Sequence, residues 1–157
     1  MFSKSMIEFL HSGCALLVGT VDETHRPHAG RGHGLTVLDP ESGRVRLLVD
    51  ADDEVTVTNL HPGAAVAITT ANVRTLHSVQ LKGRVVQVEP ATEADDAKRL
   101  QYTSDFITDI HETDGDELDI LRRWSDCRIL ACVVDIDCGF DQTPGPAAGT
   151  QMSGERA

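Results

Sequence analysis

Aromatic side chains are scarce in this chain: four phenylalanines, one tyrosine and one tryptophan among 157 residues. A core of ordinary size must be filled with aliphatic groups instead, and the abundance of Val, Leu, Ile and Ala favours strands over helices. Positive charge is also short. Fourteen Lys and Arg stand against 25 Asp and Glu, a formal net charge of −11. Such a surface repels phosphate backbones and anionic lipid, and no Lys/Arg cluster creates a local exception, so no nucleic-acid or membrane partner is expected. No apolar run approaches the roughly 20 residues needed to cross a bilayer. The early run from Cys14 to Val21 lies behind Glu8 and His11 with no small-residue cleavage site after it, so it does not read as a signal peptide. A soluble, cytoplasmic protein is the expectation.

Several chemical motifs are missing too. The four cysteines, Cys14, Cys127, Cys132 and Cys138, include no Cys-x-x-Cys pair. Cys132 and Cys138 are separated by an even number of residues in a strand-like run, which places both on one face as buried thiols. The seven histidines form no His-Glu-x-x-His pattern, and the odd spacing of His28 and His33 puts them on opposite faces of one strand. No metal site is expected. No glycine-rich phosphate loop opens a helix, and no Gly-x-Ser-x-Gly elbow occurs. Asp109–Glu117 resembles a calcium loop, but from Asp109 the glycine falls at the seventh place rather than the required sixth.

What is present reads as one domain. Ser5-x-x-Glu8 suggests a capping box for a short first helix ended by Gly13. Strands follow at Cys14–Val21, His28–Leu38 and Arg44–Val49, then a short helix from Asp52 to Leu60. Further strands occupy Ala64–Thr70 and His77–Val88. Thr92 caps a long helix to about Ile110, a second helix spans about Asp116 to Trp124, and Arg128–Cys138 is the last strand. Gly30, Gly32 and Gly34 mark a close approach or a bulge, and the switch of apolar parity beside Gly83 marks another. The pattern implies a mainly β protein with some helix: a six-stranded antiparallel barrel with flanking helices over residues 1–142. Residues 143–157 form an extended or disordered tail.

One polar constellation stands out. Arg31 and His33 alternate onto one face of their strand, and Ser78, Gln80 and Lys82 share a face of another, opposite Val79 and Leu81. Beside close-approach glycines, that face suits a planar, hydrogen-bonding ligand with an anionic arm. A merely solvated face accounts for the same pattern.

The order and spacing of three motifs add a resemblance. Arg26-Pro27-His28-x-x-Arg31, Asn59-Leu60-x-Pro62-Gly63-Ala64-x-Val66-Ala67 and Ser78-Val79-Gln80-Leu81-Lys82-Gly83-Arg84-Val85 resemble the FMN-binding split-barrel proteins related to pyridoxamine 5'-phosphate oxidase. Phe140-Asp141-Gln142-Thr143-Pro144-Gly145-Pro146 is similar to the ending of an uncharacterised bacterial branch of that family, and the resemblance spans roughly residues 5 to 149. It implies a split barrel, a homodimer, and an FMN cleft at the subunit interface serving an oxidoreductase with a small substrate. Arg31 matches the strand arginine that reaches the flavin phosphate, and Ser78 and Gln80 fall on the strand that contacts the isoalloxazine. His33 and Lys82 share those faces. Where the oxidases carry a Ser-Arg-Lys-like phosphate clamp, this chain has Asp52-Asp53-Glu54, whose carboxylates suit a helix N-terminus and repel a phosphate. The oxidase's substrate-phosphate contacts have no match, so oxidation of pyridoxamine phosphate itself is not implied. A barrel dimer holding haem or a deazaflavin, with His28, His33 or His77 in contact, or holding no ligand, is the alternative reading.

Overall fold

Alternating inward and outward residues make six strands, and a strand with one apolar face has to bury it against its neighbours. The computed structural model describes residues 1–119 and 127–152. In chain order the elements are α1 (Lys4–Leu10), β1 (Ala15–Val21), β2 (Pro27–Asp39), β3 (Arg44–Asp50), α2 (Glu54–Asn59), β4 (Ala65–Ala71), β5 (Ser78–Pro90), α3 (Glu93–Asp114) and β6 (Ile129–Asp141). The strands close a barrel in the order β1-β2-β3-β6-β5-β4, every pairing antiparallel, with β1 against β4 completing the ring. Closure removes the exposed edges that an open sheet would offer to other chains.

The barrel interior is aliphatic, as the shortage of aromatics requires. Val18, Val45, Leu47, Val49, Ile68, Val79, Leu81 and Val134 are buried there, and Leu10 of α1 joins the same cluster. The expected helices form with adjusted ends. Ser3 rather than Ser5 caps α1, its side chain accepting the Met6 amide at 3.2 Å. Thr92 and Asp95 make a reciprocal capping box on α3, which continues to Asp114 and ends at Gly115 with φ 77°. The helix expected from about Asp116 to Trp124 falls chiefly on residues 120–126, outside the described residues.

Both bulges occur. The β2–β3 register slips between Gly32 and Gly34, leaving His33 as the extra residue, and β5 slips against β6 between Lys82 and Gly83 and again between Val85 and Gln87. At the first β5 slip Lys82 pairs with Cys138 and Gly83 with Ile136, so Asp137 is the extra residue. That insertion reverses the parity of β6: Cys132 points into the core, whereas Cys138 turns outward. The expectation that the two thiols share one face is therefore corrected by the bulge. A Cβ on Gly83 would stand 2.1 Å from the Asp135 carbonyl oxygen, so this crossing requires glycine.

Beyond β6 the chain turns back rather than extending as an arm. The Thr143 hydroxyl accepts the Ser78 amide at 3.1 Å, Gln151 bridges to Phe140, and Met152 packs against the core. Outside the barrel, Arg46 of β3 is clamped by Asp95 through two 2.7 Å bonds and by Glu89, which fastens α3 to two strands. Among the described residues no helix is long and apolar enough to cross a membrane.

Candidate functional site

The outer faces of β2, β1, β4 and β5 are uncovered over much of their length. Register brings Arg31, Leu17, Thr69 and Gln80 into one row across them, and Ala29, Gly19, Ala67 and Lys82 into the next. The second row is almost bare of side chain. With Ala65 behind it, a hollow of about 660 Å³ opens there, floored by backbone and methyl groups. Lys82, Arg84, His28 and Asp137 stand at its polar margins, and Cys138 lines it from β6. The Lys82 ammonium lies 4.7 Å from the centre of the Phe140 ring. Leu17 and Val21 on the same face are 53% and 39% exposed, although both are large and apolar.

The residues expected to form the site are divided by this geometry. Lys82 lines the hollow. Ser78 and Gln80 share its face of β5, as the alternation predicts, but lie further along the strand. The Ser78 hydroxyl donates to the Leu76 carbonyl at 2.9 Å, and the Gln80 amide donates to the Thr69 hydroxyl at 3.0 Å. Arg31 is exposed one row beyond the hollow. His33 is the extra residue of the β2 bulge and is only 8% exposed, lying beside Arg31 and against Tyr102 and Thr103 of α3. Burial lowers the His33 pKa. Asp50 opposes that shift, and the charges of Arg31 and Arg99 reinforce it.

The acidic segment 52–54 is structurally employed. Asp53 caps α2, accepting the Thr56 amide at 3.1 Å and hydroxyl at 2.6 Å, and the His28 ring stands 3.3 Å away. Burial works against the Asp53 carboxylate, but these partners outweigh it and hold the carboxyl below its ordinary range. Asp52 pairs with Arg128, and Glu54 lies in the first turn of α2. Gly30 lets α2 dock here, since a Cβ would come within 2.2 Å of the Thr56 hydroxyl. The Arg128 guanidinium on this side is already engaged by Asp52. Lys82 and Arg84 supply the positive charge that lines the hollow.

Gly19, Ala29, Ala65 and Ala67 were not legible as a site. Their only signal in the sequence is small residues at alternate strand positions, which becomes a concavity only when the register aligns three strands.

The sequence matches no family model and no curated protein. Solved structures do match. HupZ from Group A Streptococcus superposes with a TM-score of 0.56 at 13% identity, over 95% of this chain and 100% of that one. A candidate pyridoxamine 5'-phosphate oxidase from Lactobacillus delbrueckii gives 0.53 at 18%, over 88% and 93%. An F420 reductase gives 0.54 at 15%, over 88% and 98%. The fold is the split barrel. At such identities the likeness extends to architecture and not to particular side chains.

Proposed function

We propose that this chain is a flavin-binding split-barrel protein, an oxidoreductase that holds FMN in the hollow on β1, β2, β4 and β5 and works as a homodimer on a small substrate. The observation that carries the reading is the hollow itself. Its volume of about 660 Å³ lies within the roughly 300–1,000 Å³ typical of cofactor and ligand sites. Its floor of Gly19, Ala29, Ala65 and Ala67 admits a flat ring against the backbone. Lys82 and Arg84 supply positive charge for a phosphate arm. The residues present therefore fit the group, and Lys82 and Arg84 are the residues that would hold its phosphate. Exposed Leu17 and Val21 beside the hollow fit burial against a second copy, which would also exclude water from the ring. A bound flavin supplies the redox chemistry; the protein supplies position, a dry floor and a charged rim.

Fluorescence titration tests this directly. Added FMN should be quenched to saturation at one equivalent per chain, and the protein–FMN mixture should elute as one yellow species. A colourless protein that leaves FMN fluorescence unchanged sinks the proposal. Quenching of a deazaflavin in its place assigns the hollow to that cofactor class.

A further inference from the structure

Further along β2 three potential ligands converge from separate parts of the chain. His33 is the bulge residue of β2, Asp50 ends β3, and Cys127 stands two residues before β6. An imidazole nitrogen, a carboxylate oxygen and the thiol sulfur all lie within 4.8 Å of one another. We propose that His33, Asp50 and Cys127 form a binding site for one divalent transition-metal ion of the zinc class.

The chemistry of the donor set selects the ion. Sulfur, imidazole nitrogen and carboxylate oxygen together suit Zn²⁺ and its neighbours, whereas Mg²⁺ and Ca²⁺ take oxygen ligands. Tetrahedral Zn²⁺ with bonds of about 2.0–2.3 Å separates its ligands by roughly 3.5 Å, so closure requires side-chain movements of about an ångström or less. Aspartate and thiolate bring two negative charges to a dication.

The scaffold holds these groups in place before any ion arrives. The Ala51 amide donates to the Arg128 carbonyl at 2.8 Å, tying the end of β3 to the chain leaving Cys127. One Asp50 oxygen accepts the Asp52 amide at 2.8 Å, which orients the carboxylate and leaves its other oxygen for a metal. One further observation points to a ligand: His33 is more than nine-tenths buried, and among the described residues no hydrogen bond to its ring is found. Three protein ligands are the number that zinc sites with an open fourth position use.

The test uses the full chain, stripped with chelator and titrated with Zn²⁺ against a chromophoric chelator. One equivalent per chain should bind, and His33→Ala and Cys127→Ser should each weaken it by at least ~10-fold. Cys138→Ser, a thiol outside the trio, should leave affinity unchanged. Co²⁺ in place of Zn²⁺ should give a thiolate-to-cobalt charge-transfer band that Cys127→Ser abolishes. Circular dichroism verifies each fold. If His33→Ala does not fold, the near-isosteric Asp50→Asn takes its place, with the same loss expected. Substoichiometric binding by the wild type, affinity unchanged in folded variants, or bound Co²⁺ without the thiolate band would each overturn the site. The titration needs no flavin, so its result stands apart from that of the hollow.

Discussion

Lys82 is exposed on β5, touches the face of Phe140 and borders the hollow, so its charge is available to a ligand at little structural cost. Lys82→Ala should weaken FMN binding by about 10-fold, the value of one charge-assisted contact. Its melting temperature should stay near that of the wild type, because exposed substitutions usually lie within about 0.5 kcal/mol. A large fall in melting temperature would make Lys82 a structural residue instead. Asp95 is the opposite case. Its side chain is 8% exposed and holds both Arg46 and the α3 cap. Hydrogen bonds from Arg46 come first among the influences that hold its carboxyl far below the ordinary range, against the opposing effect of burial. A depressed folded-state pKa gives stability that is fully present above the unfolded value of about 4 and is lost as the pH falls below it. Asp95→Asn should therefore cost about 2–3 kcal/mol at pH 7. The gap should narrow on acidification, read by urea unfolding at pH 7 and pH 3. An equal gap at both values would contradict the linkage.

Two glycines separate structure from function at the scale of a strand. At Gly83 a Cβ would meet backbone across the β5–β6 pairing, which has no flexible end to yield. Gly83→Ala should destabilise by about 1–3 kcal/mol or more, measured by denaturant unfolding. At Gly19 a Cβ would stand 3.6 Å from Ala67, an ordinary contact. Gly19→Val should leave stability unchanged, since valine suits a strand, yet fill the floor of the hollow and abolish FMN quenching. A Gly19→Val protein that still binds FMN at full affinity would move the ligand off this face. The bulges act at the same scale. The extra residue at position 33 holds its imidazole beside Asp50 and Cys127, and the one at position 137 turns Cys138 from the core to the hollow.

For the molecule as a whole, the exposed leucine and valine beside an apolar hollow are the feature a lone barrel leaves unexplained. Light scattering should give twice the chain mass for the wild type, and Leu17→Lys should convert it to a folded monomer with weakened FMN binding. A monomeric wild type would remove the dimer from the proposal. Much of this architecture was legible beforehand. Alternation of period two, glycine and proline punctuation and the capping threonine Thr92 are local signals. Together with the aliphatic core imposed by few aromatics, they determined six strands, their order of appearance and the long helix. The outward set Ser78, Gln80 and Lys82 followed from the same alternation. Tertiary structure decided the rest, because register is a relation between strands and not a property of one. Only pairing shows that Gly19, Ala29 and Ala67 lie side by side, that Asp53 is occupied by Thr56 and His28, and that residues 33, 50 and 127 meet.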